Sequence, residues 1–83
     1  MSSTERLALK GKLVELREKE TKLRIKISGN VKLLKSYFYE VEYEDIDNFE
    51  EKSIAVFSGE LTENIVEIKS IRKKINDIEN KLE

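Results

Sequence analysis

The chain contains no cysteine, no histidine and no proline, and it has only three glycines. Without cysteine and histidine, the sequence offers no disulfide, no thiolate nucleophile, no Cys/His zinc site and no imidazole acid–base group. No apolar run approaches the ~20 residues that span a bilayer, and the N-terminal residues open no apolar core of a signal peptide. We therefore expect a cytoplasmic protein that has no membrane contact and no cofactor.

Charged residues are abundant, and their distribution along the chain is uneven. They make up 40% of the 83 residues, against 39% hydrophobic residues, and the net charge is −1. Long helices and coiled coils have this balance, whereas the regular spacing of the aliphatic residues argues against disorder. Seven acidic residues and a single base lie between Glu40 and Lys52, so we expect one acidic zone and one mildly basic zone.

Large aliphatic residues recur every seven residues between Ser53 and Glu83. The first set is Ile54, Leu61, Ile68, Ile75 and Leu82, and the residues three positions further on are Phe57, Asn64, Ile71 and Ile78. This spacing is the heptad repeat of a helix that packs lengthwise against another helix. The C-terminal part of the chain is therefore predicted to be one long helix.

The N-terminal half carries a matching pattern. Its alternating steps of four and three residues run through Leu9, Leu13, Leu16, Glu20, Leu23, Ile27, Asn30, Leu34, Tyr37 and Val41. Glu20 and Asn30 are the polar members of this series. Ser2, followed by Glu5, has the spacing of a capping box at the start of a helix. This half is predicted to form the partner helix.

The acidic segment between the two patterns predicts a tight bend. Asp47 and Glu50 have the spacing of a capping box for the second helix. We predict a single domain over residues 1–83, with a helix over 4–43, a turn over 44–47 and a helix over 48–82. A link this short makes the two helices antiparallel. The predicted fold class is an all-α, coiled-coil-like two-helix hairpin.

Fourteen apolar residues form the predicted hairpin seam, the line along which the two helices meet. They are Leu9, Leu13, Leu16, Leu23, Ile27, Leu34, Ile54, Phe57, Leu61, Ile68, Ile71, Ile75, Ile78 and Leu82. A bend centred near residue 44 would place Gly29 beside Gly59, which either permits a close approach of the backbones or is a coincidence in a chain with two Ser-Gly pairs. Asn30 and Asn64, polar residues on the same line, either fix the register and oligomer state of the helices or lie at a local drift of the seam and point to solvent.

Two alternatives to continuous helices are open from the sequence. The first is a break of the helix at Gly29 or Gly59. Glycine in a helix interior costs about 1 kcal/mol relative to alanine, which favours such a break. The segments 37–43 and 53–57 are rich in residues that favour strands. Two strands there would give the helix–hairpin–helix architecture of prefoldin-like subunits, although no Asn-Gly or Asp-Gly turn lies between them.

Several apolar residues lie outside the seam, where a lone hairpin leaves them in water. They are Leu7, Val14, Ile25, Leu33, Tyr39, Val56, Ile65 and Val66. Covering them would add several kcal/mol at ~25 cal/mol per Å² of apolar area, which is a large gain for a small domain. We therefore expect a homo-oligomer, preferably a dimer that forms a four-helix bundle, or docking onto an unidentified protein partner.

No motif in the sequence predicts catalysis. The acidic segment near the bend has Phe49 at the fifth position of a calcium loop and lacks the glycine of the sixth position, so it does not match. Glu20 lacks the Glu-x-x-His partners of a di-iron site and is expected to pair with Arg24, Lys69 or Arg72. We predict a non-enzymatic protein without catalytic, cofactor-binding or metal-binding residues.

Basic residues concentrate on the facing parts of the two predicted helices. The candidates for nucleic-acid contact are Lys19, Lys22, Arg24, Lys26, Lys69, Arg72, Lys73 and Lys74. Such a cluster can neutralise phosphates. Acidic residues are interspersed among these bases, which is also typical of a solvated face with ion pairs between helical turns. Nucleic-acid binding is thus an alternative to binding of a protein partner, and a prefoldin-like holdase is a third.

Four stretches of the sequence carry a resemblance to known proteins. They are Glu5-Arg6-Leu7-x-Leu9-Lys10, Leu23-Arg24-Ile25-x-Ile27-x-Gly29, the acidic connection, and the heptad helix that ends at Leu82-Glu83. Together they resemble the small helical-hairpin proteins that are encoded in Mu-like prophages of bacteria. The resemblance implies a phage-derived, cytoplasmic context for this chain and leaves its activity undefined.

Overall fold

Two long helices form an extended hairpin. The computed structural model describes all residues from Met1 to Glu83, and it contains helix α1, Ser3–Tyr43, and helix α2, Glu51–Leu82. A short connection with one 3-10 turn, Ile46–Asn48, joins them, and the chain contains no strand. The molecule measures 64 × 15 × 14 Å. The prediction of an all-α two-helix hairpin is confirmed.

Helix α1 begins where the capping box predicts and then runs without interruption for 41 residues. The Ser2 hydroxyl accepts a hydrogen bond of 3.1 Å from the backbone N–H of Glu5. Neither Gly29 nor Gly59 breaks its helix, and no residue of the chain has a positive φ. The cost of an interior glycine is smaller than the gain from the continuous apolar seam on either side of it, because most helical stability in proteins comes from tertiary packing.

The strand alternative for segments 37–43 and 53–57 is wrong, since both segments are helical. One aromatic residue of each segment, Tyr37 and Phe57, lies where the helices meet. Tyr37 stacks on Phe57 with ring centroids 5.8 Å apart, and Phe49 meets Tyr37 edge-on at 5.8 Å. Strand propensity depends on packing against neighbours, and here Tyr37 and Phe57 find those neighbours between two helices.

The start of the second helix differs from the prediction. Asp47 does not cap it; α2 begins at Glu51, and its N-cap residue, Glu50, makes no side-chain capping bond. Asp45 instead accepts hydrogen bonds from the backbone N–H of Asp47, at 3.1 Å, and from the side-chain amide of Asn48. An aspartate that bonds to the backbone two residues ahead favours a turn over helix initiation. The connection is therefore longer than predicted.

The later helix start moves the centre of the bend from residue 44 to residue 47. Asn30 contacts Asn64 and Tyr37 contacts Phe57, and residue 47 is midway within both pairs. Gly29 and Gly59 are not opposite one another in this register. A Cβ atom added to either glycine would meet no heavy atom within 4 Å, so the predicted close approach of the backbones is wrong.

The hydrophobic core occupies mainly the half of the rod that is distant from the bend. Its buried residues are Leu13, Leu16, Leu23, Ile68, Ile71, Ile75 and Ile78, with Leu9, Ile27 and Leu82 packed against them. In the half near the bend, Leu34 alone is buried. This uneven packing leaves apolar side chains exposed near the bend and determines where a partner can add most contact.

Candidate interaction surface

None of the fourteen residues of the predicted seam is exposed. Eight of them are buried and the other six are half-buried. The half-buried ones are Leu9, Ile27, Ile54, Phe57, Leu61 and Leu82. Their side chains are used within the hairpin, so a partner has to be recognised by residues outside the seam.

A polar layer interrupts the seam in the middle of the rod. The side-chain amide of Asn64 donates a hydrogen bond of 2.8 Å to the side-chain oxygen of Asn30, and the Asn30 amide contacts Glu60 at 3.4 Å. Of the two options that the sequence leaves open for these asparagines, the structure has the one in which they pair across the hairpin. A polar pair in an apolar seam fixes the register of the helices at some cost in stability.

Two ion pairs connect the helices on one side of the hairpin. Arg72 donates to Glu20 at 2.9 Å, and Arg17 donates to Glu79 at 2.6 Å. The Glu20 pair is one of those that the sequence predicts. All four side chains keep substantial contact with water, so each pair is expected to contribute only ~0–1 kcal/mol. They orient the helices more than they stabilise them.

The residues predicted to lie at an oligomer interface are distributed over the whole hairpin. Leu33 is half-buried, and the other seven (Leu7, Val14, Ile25, Tyr39, Val56, Ile65 and Val66) are exposed. Leu7 and Val14 lie near the open end of the hairpin, whereas Tyr39 and Val56 lie near its bend. The predicted set therefore does not form one patch, and a single interface cannot cover all of it.

Sequence reasoning missed three exposed apolar residues near the bend. Phe38, Tyr43 and Ile46 are each more than half exposed. The available signal was the distribution of the aromatic residues, because all six of them lie between Tyr37 and Phe57. Exposed aromatic side chains are enriched in protein–protein interfaces, so this half of the rod is the stronger candidate for contact.

A shallow hollow identifies residues that share one side of the hairpin. It has a volume of about 340 Å³, and it is lined by Arg24, Ile27, Ser28, Ile65, Ile68, Lys69 and Arg72. Because the seam itself follows the heptad, residues seven positions away on each helix lie on the same side. By this rule Val31 and Phe38 continue the side of Arg24, and Ser58 and Glu51 continue that of Ile65.

We name this side the Phe38 face. It consists of Arg24, Ser28, Val31, Lys35, Phe38 and Glu42 of α1 and of Glu51, Ala55, Ser58, Thr62, Ile65, Lys69 and Arg72 of α2. Acidic residues lie at its bend end, apolar and small residues occupy its middle, and basic residues lie at its far end. Lys35, seven residues after Ser28 and seven before Glu42, is the one charged residue within the middle zone.

The opposite side of the hairpin has a different character. Its hollow, of about 430 Å³, is lined by Lys26, Gly29, Asn30, Leu33, Phe57, Glu60, Glu63 and Asn64. Charges of both signs alternate there, and the polar layer opens onto it. The opposite side therefore has no continuous apolar zone comparable to that of the Phe38 face.

The eight predicted nucleic-acid contacts surround the rod and do not form one stripe. Arg24, Lys69 and Arg72 belong to the Phe38 face. Lys26 lines the opposite hollow, and Lys19 and Lys74 share its side through their heptad spacing. Lys22 and Lys73 lie on the outer surfaces of α1 and α2. A straight duplex would contact only part of this set at one time.

The hairpin separates charge along its length. The bend region, residues 37–57, has seven acidic residues and one base. The middle of the rod, formed by residues 19–36 and 58–75, has ten bases and four acids. Such a separation favours contact between the bend of one molecule and the middle of another, because complementary potentials steer association.

Neither long helix has a stretch apolar and long enough to cross a membrane. Comparison of the chain with protein-family models, with curated proteins and with solved structures finds no match. The chain's own geometry is therefore the basis for assigning it a function.

Proposed function

We propose that the chain is a non-enzymatic helical interaction protein, in which two hairpins associate into a four-helix bundle that presents a surface to a protein partner. The observation that carries this proposal is the imbalance between buried and exposed apolar residues. Only eight of 83 residues are buried, while eleven large hydrophobic residues are at least 37% exposed. Exposed apolar residues mark interaction sites where they are grouped.

Association would supply what the lone hairpin lacks. Each apolar side chain that leaves water contributes at ~25 cal/mol per Å², so covering several of them adds several kcal/mol. The total stability of a small domain is only ~5–15 kcal/mol. Eight of the eleven exposed residues lie between Ile25 and Val66, in the part of the rod around and next to the bend. Packing there would complement the core in the other half.

Light scattering coupled to size-exclusion chromatography tests the proposal. We expect a mass of twice the 9.7 kDa of the chain, with dissociation on dilution. A well-folded helical monomer of 9.7 kDa at about 100 µM would contradict it, because a biologically useful dimer forms well below that concentration. Circular dichroism on the same sample verifies that the chain is folded.

Nucleic-acid binding is a second candidate function, favoured by the ten bases in the middle of the rod. Phosphate contacts release counterions, so binding would weaken steeply between ~50 and ~200 mM salt. Fluorescence anisotropy with a labelled duplex measures this directly. Undetectable binding at low salt would exclude this candidate.

The holdase alternative depends on strands in segments 37–43 and 53–57, which are helical, and we do not propose it. The resemblance to proteins of Mu-like prophages stays a prediction. It is compatible with an interaction protein and adds no chemistry to the proposal.

A further inference from the structure

We infer that two copies of the chain pack through their Phe38 faces with the bends at opposite ends, so that the acidic bend of each lies on the basic residues of the other. This inference rests on the proposed self-association and specifies its surface and its orientation. Its occupant is a second copy of this chain.

The order of residues along the Phe38 face carries the argument. Glu42 and Glu51 lie within five residues of the bend centre at residue 47, or ~6–8 Å at 1.5 Å per residue. Arg24, Lys69 and Arg72 lie 22 to 25 residues from it, or ~33–38 Å. The apolar and small residues, with Lys35 among them, lie between these two zones, centred ~20 Å from the bend.

This order is self-complementary. A twofold axis through the centre of the apolar zone brings Phe38, Val31 and Ile65 of one copy against the same zone of the other. The same axis brings Glu42 and Glu51 of each copy to the basic end of its partner. A dimer with both bends at one end would instead place acids against acids and bases against bases, which is unfavourable.

The charged groups at both ends of the face are available for such contacts. Glu42, Glu51, Arg24 and Lys69 form no ion pair within the chain, whereas Arg72 is held by Glu20. Four free charges in two complementary zones are what an antiparallel pair requires. The opposite side lacks this arrangement, because Glu60 and Glu63 lie there beside Lys26.

The overlap is large enough for a specific dimer. Two rods that share ~40 Å of length at a width of 15 Å bury roughly 600 Å² each, or ~1,200 Å² in total, the lower end of the standard range for stable complexes. The open ends of the hairpins, which already contain the hydrophobic core, would project beyond the overlap. The interface therefore lies on the half of each hairpin that packs least well alone, where it covers the exposed side chains of Phe38 and Ile65.

Charge exchange tests the surface. We expect E42K/E51K and R24E/K69E each to weaken the dimer at least ~10-fold, and a mixture of the two variants to form heterodimers within ~3-fold of the parent affinity. At one end of such a heterodimer, the new lysines of E42K/E51K would face the new glutamates of R24E/K69E. At the other end, the unchanged acids and bases would face each other. E63K/E67K makes the same change of charge off the Phe38 face and serves as the control. Equal weakening by the control, or no recovery in the mixture, would overturn the inference.

A distance between the bends tests the orientation independently. The chain has no cysteine, so D47C places a single spin label at the bend of each copy. Pulsed dipolar spectroscopy should give a distance of about 40 Å for the antiparallel pair, whose bends are each ~20 Å from the twofold axis. Absence of dipolar coupling at high concentration would contradict self-association itself. A coupled dimer with any other distance, such as ~20 Å or less, would overturn only the orientation.

Discussion

The side chains of Asn30 and Asn64 are hydrogen-bonded to each other across the hairpin at 2.8 Å. Both replace an aliphatic residue in the heptad pattern of their own helix, and only one register brings them together. Sliding one helix by a full heptad would leave each amide against apolar side chains without a partner, which costs ~1–3 kcal/mol per group. The pair therefore selects one alignment among those that the repeating seam permits.

Substitution of one asparagine should be worse than substitution of both. N64L leaves the Asn30 side-chain oxygen without its donor and is expected to lower the free energy of unfolding by about 1 kcal/mol, whereas N30L/N64L should equal or exceed the parent. Urea unfolding at one fixed protein concentration measures both. If N30L/N64L is instead less stable than N64L, the two asparagines are net stabilising and do not fix the register at a cost in stability.

Alanine at either interior glycine should stabilise the hairpin. A Cβ atom at Gly29 or Gly59 meets nothing within 4 Å, so only the difference in helix propensity remains. We expect G29A and G59A each to raise the free energy of unfolding by up to ~1 kcal/mol. A loss of stability in either variant would indicate that the backbones do approach closely at that glycine, as the heptad pattern predicts, and would contradict the structure.

The turn should depend on Asp45 and hardly on Asp47. D45A removes the bonds to the backbone N–H of Asp47 and to the Asn48 amide, and we expect it to cost about 1 kcal/mol. D47A is the matched control, because the Asp47 side chain accepts no capping bond in this structure. Thermal unfolding of the two variants measures which aspartate stabilises the connection. A larger effect of D47A would support helix initiation at residue 48.

Stability should reside in the half of the rod that is distant from the bend. Leu16 is 3% exposed, and L16A should cost about 3 kcal/mol because it opens a cavity in the main core. L61A removes a half-buried side chain nearer the bend and should cost about 1 kcal/mol under conditions in which the chain is monomeric. Urea unfolding in dilute solution provides the comparison. Similar losses would contradict the uneven core.

The heptad pattern was sufficient to predict the hairpin because it depends on many residues that all agree. It was insufficient at the bend, where one side chain decides between a turn and a helix start. Asp47 and Glu50 have the spacing of a capping box, in which the Glu50 side chain would accept from the backbone N–H of Asp47. That N–H instead donates to the Asp45 side chain. An error of three residues at that point moved the register enough to separate Gly29 from Gly59.

The candidate surface was harder to predict than the fold. Phe38 precedes Tyr39 in a segment where every residue is apolar, aromatic or acidic, and periodicity alone does not say which side a partner covers. The exposed sides become distinct only after the pairing of helices is known, since each side combines residues from α1 and α2. The Asn30–Asn64 pair and the hollow beside Arg24 supply that information.

Sedimentation equilibrium of two neighbouring variants tests the account most directly. Phe38 lies in the middle zone of the proposed interface, whereas Tyr39 is directed to the outer surface of α1 and is equally exposed in the lone hairpin, at 58% against 53%. We expect F38S to weaken the dimer at least ~30-fold and Y39S to change its affinity less than ~3-fold. Equal dissociation constants for F38S and the parent protein would contradict the proposed interface.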